Sequence, residues 1–432
     1  MFDSEFRLEK VRKSTVRFRR KAIGAFLLLA PFNYFYVIVF GWQVSWVEFG
    51  GVSEGAPAYV KYIKDVFFLM IVIAGLIQLP RRQKRWAHGG QLLDRLVTGF
   101  LIYQAAMTIP AAFEIGLTQA LIALWQNCGY GLVYYILRPI LSDCDIEKLR
   151  RFIVNLILVG GIVAGIGIAE FFRGSNTFQY VDGDYVGLNR AISTLGSPSN
   201  LGVYLSFLLM ATLTVGVHYR RTLQFAAFCL MAICLVLTVS MTSFTVTTVG
   251  VALILVVQRK WKWKLALIVG LLGMIGFYCI SLVPMIRSRV LEAVSGRDES
   301  WLRRLDNWKT LWPGFENGTL CFGTGGGTGG SMTVAFYGQS DLSDNQYLAT
   351  IIQYGMVGLG LYLGILLAGS LSILSVGERR KASFPATLRL AGGLIVIGVA
   401  LSGVSMNVLS GFPINLYFWS ALALIDASAK SR

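Results

Sequence analysis

The chain has 432 residues, of which 55% are hydrophobic and 14% charged, and its mean hydropathy is +0.61. Because soluble domains carry about a quarter charged residues, this composition excludes an ordinary soluble protein. The net charge of +16 does not indicate a nucleic-acid binder, since the Lys and Arg residues separate apolar runs, as in the cytoplasmic loops of membrane proteins. Those runs are about 20 residues long, the length of a membrane helix and not of a barrel strand. The sequence therefore predicts an all-α polytopic membrane protein.

A basic segment at residues 1–21 precedes the first apolar run. That run is longer than the apolar region of a signal peptide, and no small-residue cleavage site follows it. We therefore expect residues 1–21 to be a cytoplasmic tail and the run to be the first membrane span.

About twelve spans are predicted in chain order. They lie near residues 22–41, 62–79, 96–112, 118–138, 152–172, 200–218, 222–240, 244–257, 265–283, 350–375, 390–408 and 413–427. The alternation of sides that leaves most basic residues in the cytoplasm places both termini there. The seventh and eighth spans could form one kinked passage, but merging them would move "QRKWKWK" outside. We therefore expect helices 1–9 within residues 22–283, helices 10–12 within 350–427 and a short tail at 428–432.

Two segments on the outer side are long, a shorter loop at 173–199 and a larger one at 284–349. The larger loop contains "SWLRRLDNWKTLW", whose apolar residues recur at helical spacing. These residues are Leu302, Leu305, Trp308 and Trp312. The pattern predicts a short amphipathic helix that lies on the membrane surface or caps the bundle.

The stretch "FGTGGGTGG", residues 322–330, contains glycines at G-x-G-x-x-G spacing. It lacks the preceding strand and following helix of a dinucleotide site, and no G-K-[ST] follows, so we interpret it as a tight loop. Such a loop can still bring backbone N–H groups close to an anion or a sugar. The six cysteines and two histidines lack metal-ligand spacing, so no metal site is predicted.

The outer loops use arginine almost exclusively as their cation, and its rigid guanidinium binds phosphate in a bidentate manner. The basic residues concerned are Arg173, Arg190, Arg287, Arg289, Arg297, Arg303, Arg304 and Lys309. Any one of them could instead extend from a helix end towards the headgroups or form a surface ion pair. As a group they predict an anionic ligand at the outer membrane surface.

Carboxylates supply the second half of a candidate site. Asp341 and Asp344 precede the tenth span, where each could be a helix N-cap or a general base for a sugar hydroxyl. In the second span, Lys61 and Asp65 are spaced as an ion pair, with Lys64 beside them near the outer interface.

Three stretches resemble the bacterial O-antigen ligase and polymerase superfamily. The first, "NRAISTLGSPSNLGVYL", resembles an Arg-containing segment that runs through Pro-Asn into a helix. The second, "RRLDNWKTLWPGFENGTLCFGTGGG", resembles an R-x-x-x-W motif followed by glycines, and the third, "DNQYLATIIQYGMVGLGLYL", resembles a His-Asn-x-x-Leu…Gly-x-x-Gly helix. The matching positions are Arg190, Pro198, Asn200, Arg304, Trp308, Gly323, Gly325, Asn345, Leu348, Gly355 and Gly358.

The resemblance implies a GT-C-like glycosyltransferase of the bacterial inner membrane with a periplasmic active site. Such an enzyme moves a glycan from undecaprenyl diphosphate to an acceptor without a nucleotide sugar, a cofactor or a metal, and its implied partners include a flippase and a chain-length regulator. Asp344 would be the base, and Arg190 and Arg304 would hold the diphosphate. The implied substrate contacts are Arg287, Arg297, Arg303, Asn345 and Lys64.

Asp344 stands where ligases of the superfamily have a histidine. This difference favours a polymerase of lipid-linked repeat units over a ligase that moves finished glycan onto a lipid or protein. A transporter of lipid-linked glycan is a third hypothesis. It is less favoured because the charged residues concentrate at the outer surface and not at the bilayer midplane.

Overall fold

The computed structural model describes residues 21–32, 68–70, 72–73, 91–142, 144–174, 190–215, 221–257, 295, 299–311, 319–328, 344–374, 383–409 and 411–430. All regular structure within these ranges is helical. In chain order the helices are α1 (Lys21–Phe32), α2 (Gln91–Ala106), α3 (Thr108–Ile115), α4 (Leu117–Cys128), α5 (Leu132–Ser142), α6 (Ile146–Arg173), α7 (Pro198–Val215), α8 (Arg221–Leu237), α9 (Met241–Val257), α10 (Glu299–Leu311), α11 (Thr319–Phe322), α12 (Gln346–Leu371), α13 (Phe384–Ser402) and α14 (Ile414–Lys430).

Six helical stretches in the described part of the chain are long and apolar enough to cross a membrane. They are Leu92–Ile115, Leu117–Ser142, Ile146–Arg173, Pro198–Val215, Gln346–Leu371 and Phe384–Ser402. Four shorter apolar helices accompany them, which correspond to α1, α8, α9 and α14. The prediction of an all-α membrane protein is therefore confirmed. The count of twelve spans stays a prediction, because the ninth, at 265–283, lies outside the described residues.

The region of the predicted seventh and eighth spans forms two helices and not one continuous passage. α8 ends at Leu237, and α9 begins at Met241 after a turn in which Val239 has φ 51°. A β-branched residue with positive φ is a backbone outlier, so the turn must be held by contacts from elsewhere in the chain.

The centre of the bundle is α7, which packs against α8, α9 and α13. Most of its residues are buried on every side of the helix, as expected for a helix that is apolar all round and surrounded by other helices. α13 packs in turn on α14, and α14 packs on α5. Tyr417 of α14 donates from its hydroxyl to the Leu27 carbonyl at 2.8 Å, which attaches α1 to the same core.

A buried ionic cluster lies at one end of this bundle and consists of Arg138, Asp94 and Asp426. Arg138 of α5 is 1% exposed, and its Nη1 lies 2.6 Å from Oδ1 of Asp94 in α2. Its Nε pairs with Asp426 of α14. One arginine therefore joins three helices, and we call this group the Arg138 cluster.

Candidate active site

The candidate site begins at the N-terminus of α12. Asn345 caps this helix, because its Oδ1 accepts hydrogen bonds from Tyr347 N at 2.9 Å and Leu348 N at 3.1 Å. Its backbone is extended, as a cap residue requires. The sequence allowed Asp344 to be either the helix cap or a general base. Because Asn345 is the cap, the interpretation as a base remains for Asp344. Asn345 was predicted to contact substrate, but its Oδ1 already accepts the two hydrogen bonds from the first turn of α12.

Asp344 forms an ion pair with Arg304, whose Nε lies 3.5 Å from Oδ2 of the carboxylate. The two residues reach each other from separate elements, the head of α12 and the predicted amphipathic helix α10. On α10, Trp301 and Trp308 make an edge-to-face contact at 5.4 Å, while Leu302 is 45% exposed. The structure thus brings together two residues that the sequence predicted as catalytic.

Desolvation by the surrounding protein raises the pKa of Asp344, and the positive charge of Arg304 opposes that rise. The net direction is upward, although 55% of the Asp344 side chain is exposed. A raised pKa makes a carboxylate a stronger base, and the exposure lets a substrate reach it. Asp344 thus combines accessibility with increased basicity.

Arg190 precedes α7 in the chain, and its side chain contacts the turn between α8 and α9. Its Nε donates to the Thr238 carbonyl at 2.9 Å and its Nη2 donates to the Val239 carbonyl at 3.1 Å. The backbone adds a third bond, from Ala191 N to Leu237 O at 2.9 Å. A guanidinium at a helix C-terminus is also stabilised by the helix dipole. These bonds fix the position of Arg190 and explain how Val239 is held at positive φ.

The turn held by Arg190 and the head of α12 lie at the same end of the bundle. Directly after the turn, Thr242 Oγ1 hydrogen-bonds with Ser405 Oγ at 2.5 Å. The segment that contains Ser405 then contacts α12, because Gln346 N donates to Gly403 O at 2.7 Å. Arg190 and the Arg304–Asp344 pair are therefore connected through a short series of contacts, and we call this the site end of the bundle.

The remaining predicted site residues are not placed. Arg287, Arg297, Lys64 and the alternative base Asp341 lie outside the described residues. Arg303 lies in α10, but only its backbone is described. The assignment of the four basic residues to substrate binding, and of Asp341 as the alternative base, stays a prediction.

Residues 323–328, which we call the glycine loop, pack directly on a break in α12. Gly355 interrupts this helix with φ 61° and ψ −168°. Near the break, Thr324 N donates to Ile352 O and Gly325 N donates to Gln353 O, both at 2.9 Å. A Cβ on Gly325, whose φ is 114°, would lie 2.6 Å from Cβ of Ala111. The glycines are thus needed for close backbone contact. The loop is a tight turn that hydrogen-bonds to a helix, and not a nucleotide site.

Sequence reasoning did not single out Glu170, which lies in the last turn of α6. It is 7% exposed and accepts a hydrogen bond from Ser193 N at 2.9 Å, three residues beyond Arg190. A carboxylate inside an apolar span was a signal available in the sequence. No group of three metal-ligand residues occurs among the described residues.

A family model described as O-antigen ligase matches residues 226–363. The matched region contains Arg304, Asp344 and the glycine loop, while Arg190 precedes it. A search of curated proteins finds no matching sequence. The match at residues 226–363 supports the resemblance of the motifs to the O-antigen ligase and polymerase superfamily.

Proposed function

We propose that this protein is a membrane glycosyltransferase that joins undecaprenyl-diphosphate-linked oligosaccharide repeat units on the periplasmic face of the inner membrane. The observation that carries the proposal is the Arg304–Asp344 pair at the head of α12. It places an accessible carboxylate of raised pKa beside a fixed cation, within the region matched by the O-antigen ligase family.

The proposed reaction needs a base and a stabilised leaving group. Asp344 takes the proton from a hydroxyl of the acceptor sugar, and the oxygen attacks the anomeric carbon of the donor glycan. The bond from that carbon to the diphosphate oxygen breaks, and undecaprenyl diphosphate leaves with the bonding electrons. Arg304 and Arg190 are assigned to the developing negative charge, which fixed cations stabilise more than water does.

Arg304 has two roles in this scheme. Without substrate it holds Asp344 as a carboxylate, since its positive charge lowers the pKa of that group. When a diphosphate binds, its negative charge competes for the guanidinium, so the hold on Asp344 weakens and its basicity increases. Donor binding would thereby activate the base.

A ligase that moves a finished glycan onto a lipid or protein acceptor is the second candidate. The family description favours this function. The polymerase is preferred because the position that resembles the histidine of ligases is Asp344, whose geometry serves base catalysis without a histidine.

The test is reconstitution of the purified protein in liposomes with lipid-linked repeat units extracted from the host. A polymerase converts single units into a ladder of longer lipid-linked chains. Replacement of Asp344, Arg304 or Arg190 by Ala should abolish the ladder when equal amounts of folded protein are reconstituted, whereas Lys309→Ala on the exposed face of α10 should leave it intact. Full-length product from all three variants would refute the site, and transfer to an added acceptor without chain extension would favour the ligase.

A further inference from the structure

Three helical stretches that could cross the membrane are interrupted close to one another. The interruptions are Met107 between α2 and α3, the 3-10 turn Gly129–Gly131 after α4, and Gly355 within α12. The helices concerned are in contact, because α2 packs on α12 and also on α4, where Cys128 Sγ lies 3.7 Å from the Leu101 carbonyl. Of the three interruptions, Gly355 has non-helical backbone angles. Such backbone at membrane depth persists only where protein covers it or where it borders a polar site, and interrupted helices form binding sites in other membrane proteins.

Four uncharged polar side chains gather where these interruptions meet. Asn127 Nδ2 donates to Gln353 Oε1 at 3.2 Å and to the Tyr354 hydroxyl at 3.1 Å. Gln104 lies beside the same hydroxyl. All four are buried, with exposed fractions of 6% or less. We call this group the amide cluster.

Gln104 has unused hydrogen-bonding capacity. It is 1% exposed, and apart from its interaction with the Tyr354 hydroxyl, neither its Oε1 nor its Nε2 has a partner among the described residues. Buried polar atoms are normally paired, so the Gln104 amide keeps donor and acceptor capacity that a ligand can use. An amide offers both a donor and an acceptor, which is what a sugar hydroxyl needs.

The glycine loop covers the cluster. Gly327 N donates to Gln353 Oε1 at 3.1 Å, and Gly326 packs against the Tyr354 hydroxyl. The loop contributes mainly backbone atoms here, so it can be displaced without extracting a large side chain from the core. Any ligand of the amide cluster has to replace these contacts.

From these observations we infer that the amide cluster is a subsite for uncharged sugar hydroxyls of the lipid-linked glycan, exposed when the glycine loop shifts. This inference rests on the proposed function. The cluster lacks charge and so does not suit the diphosphate, which is left to the arginines of the site end. Gly355 follows the α12 cap by ten residues, roughly 15 Å of helix, so the two subsites are separated by the length of a short oligosaccharide.

The experiment uses the native thiol of Cys321, which is exposed in α11 directly before the glycine loop. The other five cysteines are replaced by Ala, and an environment-sensitive fluorophore is attached to Cys321 in the full-length protein in nanodiscs. Two probes are titrated, with the Kd of each measured by calorimetry and the loop followed by the emission: lipid-linked repeat units extracted from the host, and undecaprenyl diphosphate without sugar. We expect the glycan-bearing probe alone to change the emission, because only the sugar displaces the loop.

Gln104→Leu supplies the specific test. It should raise the Kd of the glycan-bearing probe about tenfold, as expected for the loss of one or two hydrogen bonds, and leave the Kd of undecaprenyl diphosphate unchanged. Gln224→Leu is the matched control, since Gln224 of α8 is also 1% exposed with an unpaired Oε1 but lies outside the cluster. That control should bind both probes as the wild type does.

The inference fails if Gln104→Leu binds the glycan-bearing probe normally, or if it loses both probes equally. It also fails if the wild type binds the sugar without a change at Cys321. A wild type that binds the glycan-bearing probe through Gln104 but never extends it would refute the proposed polymerase and retain the sugar subsite. A wild type that extends the glycan while Gln104→Leu has no effect would refute the subsite alone.

Discussion

At the scale of single residues, the ion pair between Asp344 and Arg304 governs the expected pH dependence. The pKa of Asp344 is raised above its ordinary value by desolvation, and Arg304 limits the rise. A general base acts in its deprotonated form, so activity should increase with pH through this raised pKa. The acidic limb of the pH profile should therefore lie above the range of an ordinary aspartate.

Arg304→Gln should move that acidic limb to higher pH, because removal of the positive charge raises the pKa of Asp344 further. The rate at the plateau should also fall about a hundred- to thousandfold through loss of one fixed donor to the leaving group. Chain extension measured from pH 4 to 9 tests both effects. Lys309→Gln, on the same helix but paired with Asp306, should change neither. An unshifted limb would show that Arg304 does not control Asp344.

Arg190→Lys should destabilise the protein although it keeps the charge. Lysine lacks the planar fork that donates to the Thr238 and Val239 carbonyls at once. Loss of one such charge-assisted bond should lower the free energy of unfolding by about 1.5–3 kcal/mol, measured by thermal denaturation in detergent. An unchanged melting temperature would mean that the turn after α8 does not depend on the guanidinium.

The sequence predicted the residue types of the site, but not their partners. Arg304 and Asp344 were singled out, yet the ion pair between them depends on how α10 sits against α12, which periodicity does not encode. The sequence left cap and general base open for Asp341 and Asp344, although Asn345 immediately follows Asp344 and suits the cap equally. The amide cluster was not predicted, because isolated Gln and Asn residues in apolar spans form no recognisable sequence motif. Only the packing of three interrupted helices brings them together.

At the scale of elements, the break in α12 and the glycine loop depend on each other. Gly325→Ala should therefore destabilise the protein, since its φ of 114° is unfavourable for alanine and the new Cβ would contact Ala111. The backbone strain alone costs about 1–3 kcal/mol. Thermal denaturation and chain extension should both report the loss.

The control for this substitution is Gly360→Ala in the same helix α12. A Cβ at Gly360 meets no atom within 4 Å, so alanine should leave stability unchanged or increase it by about 0.5–1 kcal/mol. Equal effects of the two substitutions would show that the contact between loop and helix is unimportant.

Element positions were more predictable than element shapes. The helices α6, α7 and α13 lie close to predicted spans because long apolar runs have few alternatives in a bilayer. The interruptions at Gly129–Gly131 and Gly355 were not predicted, since glycine is common in membrane helices and usually leaves them intact. Only the packing of the glycine loop distinguishes Gly355 from Gly360.

At the scale of the whole molecule, the Arg138 cluster holds together the end of the bundle that bears it. Arg138→Met should lower the free energy of unfolding by about 3–5 kcal/mol, because it removes the arginine that pairs with buried Asp426. Asp94→Asn should cost less, because Arg138 keeps its ion pair with Asp426 and the 35% exposed side chain at position 94 is partly hydrated. Denaturation of both variants in detergent gives the comparison, and equal costs would contradict the assigned difference.

The predicted orientation places the loop that contains Cys321 in the periplasm and Lys148, at the start of α6, in the cytoplasm. In intact spheroplasts, a membrane-impermeant maleimide should label Cys321 within a variant whose other cysteines are replaced. A variant with Cys321→Ala and Lys148→Cys should be labelled only after lysis, since Lys148 is 70% exposed and reacts once reached. Labelling in the reverse order would invert the topology and refute a periplasmic site.

The pairing of the glycine loop with α12 also imposes an order on biogenesis. Residues 319–328 leave the ribosome before residues 346–371, so the loop is synthesised before the helix that accepts its N–H groups. The carbonyls of Ile352 and Gln353 gain these partners only when the loop returns to the inserted helix. Membrane insertion of α12 therefore precedes completion of its hydrogen bonding, which depends on the return of a segment made earlier.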